Sequence, residues 1–305
     1  MSHVIHDLWS LLPFSLLLVA VLGLWIRPWL WMSALAAAIL AGFGSGALTG
    51  GAVFWLVLLA LSAAAYRREK SRPAARFSKL TRLCTGVVFF GLALAIGLLL
   101  IPGFGRVVLT DNVVLSPGAV PYGIGLGFSK LVAGILIIGW INPARVCSWA
   151  ELGAVLKRAA PVFLTTLIAV MGCALLLGYT RFDAKWTTLF LIWAPVNLFF
   201  TCLSEEAFFR GFIQHEITQL GSRRSVAAAA GLIVGAVTFG LAHLAGGWKY
   251  ALAAMVAGFG YGWAYKQTQR IEAAMAVHFG VNCVHFLLFT YPALAGVGAT
   301  GVGAR

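Results

Sequence analysis

Apolar runs long enough to cross a bilayer follow one another almost from end to end of this sequence, broken only by short charged or Pro/Gly-rich stretches. A bilayer core takes about 20 such residues per helix. Reading runs against breaks places spans near 8–26, 29–44, 51–66, 83–101, 123–141, 161–179, 187–213, 226–245, 249–266 and 271–290. With 61% apolar and only 10% charged residues, the 305-residue chain lacks the polar surface that a water-soluble fold of its size needs. In lipid a backbone must satisfy its own hydrogen bonds. The expected fold is therefore all-α, a polytopic transmembrane bundle of about ten spans (eight to ten). Two details qualify the count. The first run follows Ser2, His3, His6 and Asp7, without a basic region or a small-residue cleavage site, and is expected to be a retained helix rather than a signal peptide. The second and third runs are softened by Gly42, Gly44, Gly46, Gly50 and Gly51, which also suit one bent hairpin.

The net charge of +13 would suit a nucleic-acid partner, but the basic residues lie in the connections between spans and form no patch, so no nucleic acid is expected. Counting Lys and Arg in alternate connections sets the orientation. Fifteen fall on one side, including Arg27, the run from Arg67 to Arg82, Arg145, Arg223, Arg224 and Arg270; five fall on the other, namely Arg106, Arg181, Lys185, Lys249 and Arg305. Both termini are expected outside the cytoplasm. The 66–82 connection is a polybasic topology anchor expected to touch anionic lipid. Five cysteines (84, 147, 173, 202, 283) show no metal-ligand spacing, and neither disulfides nor structural zinc are expected.

Ionisable residues within spans are nearly absent before residue 200 and concentrated after it. Each costs roughly 2.5–3.5 kcal/mol on insertion scales, which makes it a functional candidate. Glu206 and Arg210, four apart with acid before base, share a helix face where an ion pair forms. Glu205 is turned about 100° away, toward a polar cavity, and suits a general base acting on water. His278 and Asn282 are again four apart, and an imidazole and an amide are donors suited to an oxyanion. His243, from a separate helix, would hold and polarise the attacking water with Glu205. One obstacle is depth: at 1.5 Å per residue, straight rods put His243 roughly 25 Å from the cytoplasmic ends and His278 about 10 Å from them. Such rods would not let the two meet.

In sequence, Leu203-Ser204-Glu205-Glu206-Ala207-Phe208-Phe209-Arg210, Phe239-Gly240-Leu241-Ala242-His243 and His278-Phe279-Gly280-Val281-Asn282 resemble the three motifs of the CAAX-protease and bacteriocin-processing (CPBP) family. The resemblance covers about 187–290 and implies an intramembrane endopeptidase with catalytic Glu205 and His243, oxyanion-side His278 and Asn282, and structural Glu206 and Arg210. Its substrate would be a membrane protein or lipidated peptide, of CAAX type, with a leader peptide, or with a C-terminal sorting tail; the loop charges suit a bacterial inner membrane. The helices of 1–186 carry no assigned role, and 291–305 is a Gly-rich tail. No cofactor is expected, with zinc held by Glu205, His243 and His278 as the runner-up by ligand type; Arg210 close by disfavours a dication. Two other functions fit buried Glu and His: a proton-coupled transporter, which leaves the His278/Asn282 pair unexplained, and a non-catalytic adaptor or immunity protein, which leaves the full motif set unexplained.

The remaining polar residues have simpler readings. His285 is expected to bond between helices, Cys202 to be a small core residue, Lys130 to snorkel, and His215 and Glu216 to be solvated at a helix end. Gly231 and Gly235, with Gly258 and Gly262, are spaced for close helix packing.

Overall fold

A computed structural model describes residues 2–4, 8–71, 76–142, 145–221 and 223–297. Residues 72–75 of the polybasic connection and 298–305 of the tail therefore lie outside the described residues. Each apolar run becomes helical: α1 (Leu12–Gly23), α2 (Pro28–Gly44), α3 (Gly50–Lys70), α4 (Arg76–Gly97), α5 (Ser129–Leu136, prolonged by a π-helical turn at Ile137–Ile141) and α6 (Trp149–Leu176). Then come α7 (Phe190–Val196), α8 (Leu203–Glu206), α9 (His215–Leu220), α10 (Arg224–Ala242), α11 (Trp248–Thr268) and α12 (Ile271–Leu288). Two π-helical segments, Asn197–Cys202 and Ala207–Gln214, join α7, α8 and α9 into one continuous rod.

The chain is a multi-pass membrane protein. Among the described residues five helices are long and apolar enough to cross a bilayer, and three apolar helices are shorter. Ten crossings are thus more than length and hydropathy alone supply.

Two expectations change. The run 123–141 is not one helix, because Tyr122–Gly127 is a strand and only Ser129–Ile141 is helical. Its Tyr-Gly-Ile-Gly-Leu-Gly order alternates large and absent side chains with the period of a strand. A Cβ on Gly123 would sit 2.9 Å from the Thr110 carbonyl oxygen, so the bare face lets two backbones close up. The strands β1 (Ser2–Val4), β2 (Arg106–Val113) and β3 (Tyr122–Gly127) form one small sheet in that order, with β1 parallel to β2. It is an addition to the all-α expectation. Second, α6 starts twelve residues earlier than the apolar run, because Ser148 and Glu151 cap it. The Ser148 hydroxyl accepts from the Glu151 N–H (3.1 Å), and the Glu151 carboxylate accepts from the Cys147 N–H (2.8 Å). The second and third runs are two separate helices, as their spans predict.

The described chain divides into two compact units, 1–108 with 125–143 and 109–124 with 144–305. In the first, small residues admit aromatic rings: a Cβ on Gly139 would lie 2.7 Å from the Trp31 ring, which meets Trp140 edge-on. The second contains α6 to α12 and all three motifs. Gly247, at φ +97°, turns the chain between α10 and α11. Gly240 then lets them touch, since a Cβ there would lie 2.8 Å from the Ala251 carbonyl oxygen. Trp193 is buried against Phe286 (centroids 4.5 Å) and donates from Nε1 to the Tyr291 hydroxyl at 3.0 Å. Beyond α12, the stretch 287–295 is laced on two flanks. Tyr179 to Lys185 bond along one side (Thr290 N–H to Arg181 O, 2.8 Å) and Ser116 to Val120 along the other (Val120 N–H to Ala293 O, 3.0 Å).

Candidate active site

Local helix geometry delivers the ion pair. Arg210 Nη1 donates to Glu206 Oε1 at 3.0 Å, and both side chains are fully buried. Arg210 Nη2 donates at 2.7 Å to the Gly258 carbonyl, and one turn on, Gln214 Nε2 donates at 2.8 Å to the Gly262 carbonyl. A Cβ on Gly262 would lie 2.7 Å from Gln214 Oε1, whereas one on Gly258 would lie 3.2 Å from the Ala236 backbone of α10. The expected Gly-x-x-x-Gly contact is thus a polar seam between α11 and the motif rod. The guanidinium also lies over the Phe239 ring, 4.7 Å from its centroid, a cation–π contact.

Glu206 has a second task that its spacing from Arg210 did not reveal. Its Oε1 also takes His278 Nδ1 at 2.7 Å. A carboxylate in such a pair only accepts, so Nδ1 carries the proton. Tyr261 stacks on the other side of the His278 ring, with centroids 4.4 Å apart and planes at 15°. Ring and carboxylate together leave His278 one orientation.

His243 ends α10, where its Nδ1 lies 2.7 Å from the Phe239 carbonyl oxygen. A carbonyl can only accept, which places a proton on Nδ1. Nε2 faces Glu205 Oε2 across 3.9 Å, and both side chains are about one-sixth exposed. The depth obstacle disappears here. Phe239, one turn before His243, touches both the His243 ring (4.5 Å) and the His278 ring (5.7 Å). What fails is the treatment of the spans as straight, untilted rods measured from a common plane.

Asn282 engages a partner that the sequence did not single out. Its Nδ2 donates to Asn197 Oδ1 at 3.1 Å and lies 3.8 Å from Cys202 Sγ, while Cys202 Sγ donates to the same Asn197 oxygen at 3.3 Å. Asn197 and Cys202 are five residues apart, a spacing that faces one way only in a π-helical turn. Cys202 is fully buried, as a small core residue should be. An amide eight residues before Glu205 in an apolar run was the available signal for Asn197, but its meaning depends on that irregular turn.

Glu205, His243, His278 and Asn282 all line one cavity of about 270 Å³, together with Asn197, Tyr250, Tyr261 and, further along, His285 and Tyr291. His285, expected to bond between helices, is on the cavity wall. Glu216 departs from expectation as well. It is buried, and its neighbour His215 bonds through Nδ1 to the Tyr265 hydroxyl at 3.1 Å. Among the described residues no three His, Cys, Asp or Glu side chains are grouped to hold a metal ion.

Residues 186–284 match the family described as type II CAAX prenyl endopeptidase Rce1-like. This segment is similar to the Rce1-like endopeptidase domain. It contains all three motifs and agrees with the CPBP resemblance. The match supports a protease that works in the membrane. No curated protein and no solved structure matches the chain.

Proposed function

We propose that this chain hydrolyses a peptide bond in a membrane-anchored or membrane-embedded protein, with Glu205 as the general base. One observation carries the reading: His243 Nε2 and the Glu205 carboxylate face each other across 3.9 Å in the cavity, and in the neutral Nδ1–H form of the imidazole Nε2 is an acceptor. Two acceptors at that separation do not bond directly, but a water about 2.8 Å from each can donate one proton to each. Its lone pairs then point away from both. Glu205 takes the proton as the water oxygen attacks the scissile carbonyl, and the developing oxyanion is met from the α12 side. There Asn282 holds one amide proton toward Asn197 at 3.1 Å, and the other, on the weak bond to Cys202 Sγ at 3.8 Å, is the one it would turn to the substrate. His278 adds a donor at Nε2 when its ring carries a second proton. Glu206, held by Arg210, fixes the His278 ring.

The substrate class follows from the Rce1-like match and from the position of the motifs on apolar helices: a lipidated peptide of CAAX type, or a protein with a leader or a C-terminal sorting tail. The excess of basic residues on one side suits a bacterial inner membrane with both termini outside. The test uses purified chain in lipid vesicles and a farnesylated peptide ending in cysteine and three further residues. Glu205→Gln should abolish cleavage while the protein still inserts and melts as before. Residual turnover above a few per cent of the parent would remove Glu205 from this role. Activity is expected to survive prolonged chelation. Stoichiometric zinc that disappears in both His243→Ala and His278→Ala would replace the glutamate mechanism and keep the protease.

A further inference from the structure

The cavity continues past the hydrolytic groups to an end that this mechanism does not use. His285 lies on its wall seven residues beyond His278, which puts it on the same face of α12 and about 10 Å farther along the axis. Its Nε2 is buried with no hydrogen-bond partner among the described residues, and the ring packs against Tyr291 with centroids 5.1 Å apart. A neutral imidazole that carries its proton on Nδ1 presents a bare lone pair at Nε2. A buried acceptor without a donor costs about 1–3 kcal/mol, and such a group calls for a ligand. Tyr291 packs on it and Tyr122 on Tyr291 (centroids 4.9 Å), with the laced stretch 287–295 across this end.

We infer that the His285 end of the cavity is a substrate subsite, in which His285 Nε2 accepts the backbone N–H of the second or third residue beyond the scissile bond. The inference rests on the peptidase reading. An extended peptide advances about 3.3 Å per residue, so the roughly 10 Å from His278 to His285 corresponds to two or three residues. Pockets that enclose a whole drug-sized ligand run to about 300–1,000 Å³, and 270 Å³ holds a few peptide residues but not those residues and a lipid anchor as well. The anchored half of the substrate therefore stays outside. The short unanchored tail enters, its apolar side chains against the tyrosine rings and its N–H on His285. His285 is a positioning residue and touches no reacting atom.

The test measures binding apart from cleavage. Glu205→Gln protein in lipid vesicles is titrated with the farnesylated peptide and with copies N-methylated at each of the three residues after cysteine. Methylation at the second or third residue should weaken binding about 3- to 10-fold, the loss of one neutral hydrogen bond. His285→Phe in that background should bind the parent peptide with the same deficit and become indifferent to the methyl group. His285→Gln, which keeps an acceptor, should recover most of the affinity. In the active enzyme the change should fall on KM, with kcat retained. Equal losses on methylation with and without the His285→Phe substitution, or undiminished binding by His285→Phe, would overturn the subsite. If His285→Phe does not fold, His285→Gln and the methylated peptides decide, and a methyl group without effect at both residues sinks the idea. A parent enzyme that binds the peptide in this way but never cleaves it would instead overturn the peptidase reading.

Discussion

Removal of the Arg210 guanidinium is the perturbation whose consequences the geometry specifies most fully. Arg210→Ala leaves the Glu206 carboxylate fully buried with only His278 as a partner, and it frees the Gly258 carbonyl inside the bundle. Breaking a buried pair from one side typically costs about 3–5 kcal/mol. The lost contact over Phe239 adds about 0.5–2 kcal/mol. At about 2–4 °C per kcal/mol for a sizeable domain, the melting temperature in detergent should fall by about 10 °C or more. Arg210→Lys should not rescue it, because a point charge cannot serve Glu206 and the Gly258 carbonyl in the fixed geometry of a guanidinium. A paired variant, Glu206→Leu with Arg210→Met, separates stability from positioning. With both charges gone, an apolar pair of similar volume should restore most of the melting temperature. Turnover should stay low, since His278 Nδ1 has lost the carboxylate that orients it. An Arg210→Ala protein that melts within about 2 °C of the parent, an interval about one-fifth of the expected shift, would refute the reasoning.

Four further outcomes are expected. Asn282→Ala should reduce turnover by about 10² to 10³, the usual loss of one oxyanion donor, with KM little changed in peptide kinetics. Gly240→Ala should lower stability by about 1–3 kcal/mol in a detergent melt, because its Cβ would lie 2.8 Å from a backbone oxygen that cannot swing aside. The Asp183 carboxyl, in the loop before α7, is held below the usual carboxylate range by the Ser116 hydroxyl and then by Lys185. Its contribution to stability is therefore present above the unfolded value of about 4 and lost as pH falls through the lower folded value, so Asp183→Asn should flatten the acid limb of a stability-versus-pH curve. Finally, a cysteine placed at Ser71 should resist an impermeant thiol reagent in intact cells and react after permeabilisation. Labelling in intact cells would invert the orientation.

What the sequence determined by itself is whatever depends on composition or on one regular helix. Lipid as solvent follows from the recurrence of apolar runs, and the Glu206–Arg210 pair follows from a four-residue spacing that any α-helix turns into contact. The Gly258/Gly262 stripe was legible as a packing face for the same reason. Tertiary structure decided the rest. Glu206 meets His278 across 72 positions and Asn282 meets Asn197 across 85, contacts that depend on how helices far apart in sequence are rotated and staggered. Straight-rod counting failed on the stagger between α10 and α12, and regular α-helical spacing hid Asn197 because a π-helical turn shifts the side chains that follow it. The run at 122–127 was apolar enough to be taken for the start of a span. Only pairing with a neighbouring strand shows why its glycines alternate, since a bare face has meaning only where another backbone presses against it.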